Sequence, residues 1–147
     1  MTTITATRYH DFSAGHRVVG QTLEDGSPGA CTRIHGHNYR VHFTIAADDL
    51  DGVGRVMDFS VIKDLLCEWL EQEWDHRFLV WEDDPMLMGL CEVDPEGVVV
   101  VPFNPTAENM GRYLVNVVGP QELQGTSAWL KSVVIEETRK CSVEVSR

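Results

Sequence analysis

Three histidines have the residue type and spacing expected of a metal site. His35 and His37 flank a glycine at the start of a strongly alternating segment, so both imidazoles fall on one side of a strand. His16 ends an earlier strand-like segment and can reach the same point from a neighbouring strand. Three imidazoles with a free position for substrate are typical of catalytic zinc. The alternative, histidines that only pack or face solvent, stays open for this spacing alone and is preferred for His10 and His42.

A cysteine stands close to the histidine pair. Cys31 lies four residues before His35, in the pattern C-x-x-x-H-G-H. A nearby metal cation favours the thiolate, which can act as a base or a nucleophile. The chain has four cysteines and no C-x-x-C pair, which fits neither a disulfide framework nor a zinc knuckle, so we expect reduced thiols. Cys67 and Cys141 are interpreted as packing residues of a helix and a strand.

Two further places combine a carboxylate with a reason to face a site. Asp75 precedes His76, and a carboxylate beside an imidazole can orient the ring and support its charged form, although such pairs are also common on surfaces. Glu137 shares an alternating face with Val133 and Ile135, which predicts an inward carboxylate. That carboxylate needs donors, which a ligand with adjacent N–H groups provides. Without further support, a solvated glutamate at a strand end is the simpler interpretation.

Hydrophobic alternation predicts the strands that must position these residues. Residues 38–46 alternate strictly between apolar and polar side chains, which indicates a half-buried strand. Residues 4–12 form a weaker strand candidate, followed by a glycine-rich loop at 20–29. The end of the chain predicts a hairpin of 132–138 and 141–145.

Two helices are predicted between these strands. Asp58 is expected to cap the first, which ends near Trp74. Thr106 is expected to cap the second, which closes at Gly119 before a proline. Residues 82–103 are interpreted as irregular, with a run of four valines that can form a short strand or hairpin.

This order predicts one α+β domain over residues 1–147. We expect an antiparallel sheet with two helices between strands 2 and 3, packed on one face. The other sheet face then needs a cover, which association of several copies supplies.

Charge and hydropathy restrict the partners and the compartment. The formal net charge of −11 disfavours binding of nucleic acid along an extended face. A small phosphorylated ligand remains compatible with this net charge. Charges are screened beyond about 8 Å in physiological salt, so arginines close to the ligand determine whether it is attracted. Arg17 and Arg33, next to the histidine motifs, are the candidates. Without a span of ~20 apolar residues or a secretory start, a soluble cytosolic protein is expected.

Read in order, these motifs resemble the 6-pyruvoyltetrahydropterin synthase and 6-carboxytetrahydropterin synthase superfamily. The resemblance spans nearly the whole chain, and the cysteine-to-histidine motif is its most specific part. The matching segments are F-S-A-G-H at 12–16, C-T-R-I-H-G-H-N-Y at 31–39, M-D-F at 57–59, D-H at 75–76, P-T-A-E at 105–108 and E-E-T at 136–138.

The resemblance implies a tunnelling fold, in which small sheets join into a barrel within a trimer and two trimers stack as a hexamer. It also implies a zinc ion and residue roles, with the catalytic residues shared across subunits. The zinc ligands would be His16, His35 and His37. Cys31 would be the proton acceptor, with Asp75 and His76 as its acid/base partners. Glu137 would anchor the pterin N–H groups, and Thr106 would lie close to the pterin.

Members of the superfamily act on 7,8-dihydroneopterin triphosphate. The carboxy branch forms 6-carboxytetrahydropterin, acetaldehyde and triphosphate on the way to queuosine and other 7-deazapurines. The three-residue spacer between Cys31 and His35 and the segment 57–59 are similar to this bacterial branch, which is our main expectation. The alternatives are the pyruvoyl reaction, which eliminates triphosphate, and a non-catalytic zinc-binding module. Two features depart from the family pattern, Gly15 in place of alanine and a long 82–103 region.

Overall fold

The computed structural model describes residues 2–147, and within them all named strands join one six-stranded sheet. The strand order is β4-β3-β1-β2-β5-β6. Neighbours from β1 through β2 and β5 to β6 are antiparallel, whereas β3 and β4 are added in parallel beyond β1. The strands are β1 (Thr5–His16), β2 (His35–Ala47), β3 (Arg77–Trp81), β4 (Val98–Val101), β5 (Ala128–Glu136) and β6 (Ser142–Ser146).

Two long helices begin where the sequence predicts. Helix α1 covers 59–73, and the Asp58 carboxylate accepts a hydrogen bond from the Ser60 N–H at 2.8 Å. A short helix α2 covers Leu87–Val93. Helix α3 covers 107–122, and the Thr106 hydroxyl accepts from the Asn109 N–H at 3.2 Å. Both capping predictions are therefore confirmed.

The end of α3 differs from the prediction. The helix passes through Gly119 and its proline because a π-helical turn, Leu114–Val118, precedes them. Pro120 then falls in the first turn of the last α-helical segment, directly after the π-helical turn.

The expectation of an antiparallel sheet with two helices between strands 2 and 3 is wrong in two respects. The sheet is mixed, and β3, α2 and β4 separate the two long helices, so that α3 lies between β4 and β5. β3 is only five residues long and contacts β1 through just two partners, Ala14 and Gly15. A strand this short carries no readable period, and its pairing depends on tertiary context.

The core lies between the helices and one face of the sheet. Tyr39, Val41, Phe43 and Ile45 from β2 are all fully buried, as the alternation predicts. The opposite face of β1 and β2 is mostly polar, so burial of apolar side chains is not the reason for the cover that we expect. Its cross-strand partners are Thr7 with Thr44, Tyr9 with His42, Asp11 with Arg40, and Ser13 with Asn38.

Of the two cysteines predicted to pack in the core, one is buried and the other is exposed. Cys67 is buried in α1, whereas Cys141 is exposed before β6 and packs in no core. Over residues 2–147, no helix is long and apolar enough to cross a membrane.

Candidate active site

The three predicted histidines meet at one end of the sheet. His16 is the last residue of β1 and the cross-strand partner of His35, the first residue of β2, with His37 two positions further on. One nitrogen from each ring lies within 4.8 Å of the others. The Nε2 atoms of His16 and His35 are 3.1 Å apart. Three imidazole nitrogens that converge in this way can hold a metal ion.

Backbone carbonyls decide which ring nitrogens face the centre. The His16 Nδ1–H donates to the Pro105 carbonyl at 2.6 Å, and the His35 Nδ1–H donates to the Arg33 carbonyl at 2.7 Å. A carbonyl only accepts, so both Nδ1 atoms carry the hydrogen. The two Nε2 lone pairs then point at each other and repel unless a cation lies between them. This donor set therefore fits a metal bound through Nε2.

Burial favours the neutral form of two of the three histidines, His16 and His37. His16 is only 1% exposed, and burial lowers its pKa despite the hydrogen bond to the Pro105 carbonyl, which acts in the opposite direction. Burial also lowers the pKa of His37, although the Glu137 charge opposes the shift. Neutral imidazoles are the metal-binding form, so the site is ready for a cation at neutral pH.

Two glycines allow the strands to carry this cluster. Gly15 and Gly36 are cross-strand partners beside the three histidines. A Cβ atom on Gly36 would lie 2.8 Å from the Ala14 carbonyl oxygen, so the glycine relieves crowding with β1. A Cβ atom on Gly15 would lie 2.3 Å from Cδ2 of Phe78, its partner in β3. Phe78 thus gives a physical reason for the glycine where the family pattern has alanine.

Glu137 is the first residue after β5 and faces the cluster. Its Oε1 lies 3.7 Å from His37 Nε2 and 3.8 Å from His16 Nε2, too far for hydrogen bonds but close enough for charge attraction. Its backbone N–H donates to the Cys141 carbonyl at 3.1 Å, which continues the hairpin beyond the strand. The inward orientation predicted from alternation is therefore found even though the regular strand ends at Glu136.

Asp75 and His76 form a hydrogen-bonded pair in the turn before β3, and both residues contact Ser13 of β1. The His76 Nδ1–H donates to Asp75 Oδ2 at 2.7 Å, and the Ser13 N–H donates to Asp75 Oδ1 at 2.9 Å. Burial raises the pKa of Asp75, but these bonds outweigh it and lower the pKa overall. His76 has φ +57°, a conformation that non-glycine residues rarely adopt, and its N–H is held by the Ser13 carbonyl at 2.7 Å. Its ring is 82% exposed and free to meet a ligand.

Two surface depressions bring this pair together with the histidine cluster. One, of about 480 Å³, is lined by His35, His37 and His76 among others. The other, of about 990 Å³, includes His37, Asp75, His76 and Glu137. Five of the sequence-predicted residues therefore share one region of the surface.

Cys31 lies apart from these depressions. It is exposed in a 3₁₀ turn, Ala30–Thr32, and is not among the residues that line either depression. Its carbonyl accepts from the Val18 N–H at 2.7 Å, and its N–H donates to Gln21 Oε1 at 3.1 Å. Cys31 is therefore outside the two depressions that His76 lines.

The predicted substrate-binding residues have distinct environments. Thr106 caps α3 next to Pro105, whose carbonyl orients His16. Arg33 is exposed and uses its carbonyl to orient His35. Arg17 is nearly buried, and its guanidinium bonds Asp84 and the Thr32 carbonyl.

Sequence reasoning missed three residues at this site. Asp84 is buried opposite Arg17, yet it lies in a region that showed no pattern. Asn104 exchanges hydrogen bonds with the backbone of Val19 just before α3, at 2.9 and 3.0 Å. The Tyr39 hydroxyl is buried without a hydrogen-bond partner in the described chain, and burial, assisted by the Glu137 charge, raises its pKa. Of these three residues, only Tyr39 lies in a recognisable sequence pattern, because it belongs to the motif that contains His35 and His37.

Comparison with known proteins gives a consistent family. The family model described as 6-pyruvoyl tetrahydropterin synthase matches residues 5–147. A Rickettsia felis protein named 6-carboxy-5,6,7,8-tetrahydropterin synthase is 33% identical over 97% of this chain and 99% of its own length. An Aquifex aeolicus protein of the same name is 34% identical over 69% of this chain and 70% of its own.

Solved structures agree in fold. An uncharacterized protein from Wolinella succinogenes superposes with a TM-score of 0.85 and 24% identity, over 100% of this chain and 99% of that one. The 6-pyruvoyl tetrahydropterin synthase of Caenorhabditis elegans has a TM-score of 0.69 and 24% identity, over 100% of this chain and 97% of that one. Together with the family model and the relatives, this fold places the chain in the 6-pyruvoyl tetrahydropterin synthase family.

Proposed function

We propose that the protein is a zinc-dependent 6-carboxy-5,6,7,8-tetrahydropterin synthase. The observation that carries the proposal is the end-to-end match to relatives of that name, in a chain whose three histidines converge on one point. The reaction would convert 7,8-dihydroneopterin triphosphate and water to 6-carboxytetrahydropterin, acetaldehyde and triphosphate. Its product would serve the synthesis of queuosine and other 7-deazapurines.

The histidines would hold the ion through their Nε2 atoms. A bound zinc ion would supply Lewis-acid chemistry toward the side-chain hydroxyls of the substrate. The Pro105 and Arg33 carbonyls keep the hydrogen on Nδ1 of His16 and His35, so these two rings need no rearrangement before they bind the metal.

The proton chemistry is assigned to Cys31, Asp75 and His76. The lowered pKa of Asp75 keeps this group a carboxylate, which can support the charged form of His76 while that ring accepts or releases a proton. The exposed His76 ring and the exposed Cys31 thiol can both reach a ligand.

Glu137 is proposed to bind the pterin ring. A carboxylate can accept two hydrogen bonds from adjacent N–H groups, and its charge strengthens both. Its position beside His16 and His37 would hold the pterin with its side chain at the metal. Thr106 would border the same pocket, and Arg33 is an exposed cation that could contact the triphosphate.

The active site is proposed to form between copies of the chain in a hexamer of two stacked trimers. Cys31 does not line the depressions that contain Asp75 and His76, which supports a site completed by a second copy. Within residues 2–147, the edge of β1 that faces β3 has strand partners only at Ala14 and Gly15, and the Ser13 backbone bonds Asp75 and His76, which leaves residues 5–12 without a strand partner on that edge. A neighbouring copy that pairs there can bring its own Cys31 to the site.

Product analysis tests the proposed reaction. The purified, zinc-loaded protein is incubated with 7,8-dihydroneopterin triphosphate, and the products are identified by mass. The proposal expects 6-carboxytetrahydropterin and acetaldehyde. Formation of 6-pyruvoyltetrahydropterin would replace it with the pyruvoyl reaction, and full recovery of the substrate would favour a zinc-binding module.

A further inference from the structure

A buried ion pair lies next to the histidine cluster and has no part in the proposed chemistry. The Arg17 Nε–H donates to Asp84 Oδ2 at 2.8 Å, and the two side chains are 11% and 1% exposed. The other carboxylate oxygen of Asp84 accepts from the Met86 N–H at 2.8 Å. Asp84 itself follows β3, where its N–H donates to the Trp81 carbonyl at 3.0 Å. These two hydrogen bonds to the backbone hold Asp84 in place after β3, independently of its ion pair with Arg17.

The same guanidinium also holds the turn that carries Cys31. The Arg17 Nη1–H donates to the carbonyl of Thr32, the last residue of that turn, at 2.7 Å. The next residue, Val18, donates its N–H to the Cys31 carbonyl at 2.7 Å. The preceding residue is His16. Three consecutive residues therefore connect the histidine cluster, the buried carboxylate and the cysteine turn.

The guanidinium is suited to this link because it is a rigid plane with donors in fixed directions. With Nε–H bonded to Asp84 and Nη1–H to Thr32, its orientation is set by one acceptor on each side. A buried cation is stable only when it is paired and hydrogen-bonded, and Asp84 meets that need. An arginine used in this way has little of its surface left for a phosphate group.

We propose that Arg17 and Asp84 are positioning residues, which fix the Cys31 turn relative to His16, His35 and His37. Arg17 then acts through Cys31 and does not bind the triphosphate. The effect on turnover rests on the proposed function, whereas the effect on the turn is a property of the chain alone.

The test compares the wild type with Arg17→Lys in the zinc-loaded protein. Lysine keeps the charge opposite Asp84, but its single ammonium lacks the fork that spans both acceptors. Arg55→Lys is the matched control, since Arg55 pairs with Asp51 and Asp58 in an exposed turn. Three quantities are measured for each protein: hydrogen exchange in the peptide covering 29–33, zinc content, and kcat and KM for 7,8-dihydroneopterin triphosphate.

In Arg17→Lys, exchange in the 29–33 peptide should accelerate about tenfold, while exchange in α1 stays unchanged. A catalytic group displaced by about 1 Å can cost ~100-fold in rate, so kcat should fall ~10- to 100-fold. KM and zinc content should stay near the wild-type values, because substrate and metal ligands are untouched. Arg55→Lys should match the wild type in all three measurements.

Unchanged exchange in the 29–33 peptide would overturn the proposal. A raised KM with an unchanged kcat would also overturn it, since that result makes Arg17 a substrate ligand. If Arg17→Lys does not fold, Asp84→Asn replaces it, and the same acceleration in the 29–33 peptide is required. Should the wild type fail to turn over the pterin, the proposed function is wrong, and the exchange measurement alone decides the positioning role.

Discussion

Two backbone carbonyls set the chemistry of the histidine cluster although their side chains take no part. Those of Pro105 and Arg33 fix the tautomers of His16 and His35. Neither contact follows from residue spacing, because one spans 89 positions along the chain and the other depends on a local turn. The convergence of His35 with His37 was predictable because alternation along a strand shows which side chains share a face. The tautomers of His16 and His35 follow only from the hydrogen bonds that the structure shows.

The lowered pKa values of His16 and His37 predict a pH-dependent stability of the metal-free protein. The unfolded chain binds protons near pH 6.5, above the folded pKa values, so acidification favours unfolding. This stability is present above about pH 6.5 and is lost as the pH falls toward the folded values, by at most ~1.4 kcal/mol per pH unit for each histidine.

Urea unfolding of the metal-free protein between pH 7 and 5.5 measures this effect. A His16→Gln/His37→Gln variant is the control, and its unfolding free energy should vary less with pH. Identical slopes for the two proteins would show that neither histidine is responsible.

Removal of one ligand should remove the metal. His35→Ala leaves two nitrogens where three converge, so elemental analysis should find far less than about one zinc per chain. His10→Ala is the matched control on the neighbouring strand, since His10 bonds Glu71 instead of the cluster. A full complement of zinc in His35→Ala, or its loss in His10→Ala, would contradict the ligand assignment.

At the scale of elements, β3 determines what the strands at the site can contain. Phe78 packs over Gly15, where an added methyl group would lie 2.3 Å from the ring. The sequence showed Gly15 as a departure from the family pattern, but it did not predict β3. Long periodic elements such as β2, α1 and α3 were predictable, whereas β3 and Asp84 depend on contacts between segments far apart in the sequence.

Gly15→Ala should destabilise the protein by ~1–3 kcal/mol, because the new methyl group overpacks the contact with Phe78. Adding Phe78→Leu should recover part of that loss, so the two changes are non-additive in a double-mutant cycle. Gly89→Ala in α2 is the control, with nothing within 4 Å of the new atom in the described chain. It should be neutral or stabilising by up to ~1 kcal/mol in urea unfolding. Wild-type stability of Gly15→Ala would contradict the packing explanation.

At the scale of the whole molecule, the polar sheet face changes the physical reason for the proposed assembly. Burial of an apolar face cannot drive association there, because the face carries hydrogen-bonded pairs such as Arg40 with Asp11. The features that support the proposed association are the edge of β1 over residues 5–12, which has no strand partner, and the absence of Cys31 from the depressions that contain His76. Because each copy carries a net charge of −11, the copies repel one another at long range. Their association therefore depends on specific contacts such as strand pairing.

A shared active site is the central claim, and mixed assemblies test it most directly. Cys31→Ala and His76→Ala proteins, each nearly inactive alone, are unfolded together, reassembled and assayed with 7,8-dihydroneopterin triphosphate. With random mixing, about a quarter of sites should combine an intact Cys31 with an intact His76 and regain activity. A mixture of Asp75→Ala and His76→Ala is the control and should stay inactive, because one chain supplies both residues. Reassembled oligomers of verified mixed composition that remain as inactive as their parents would contradict a site shared between chains.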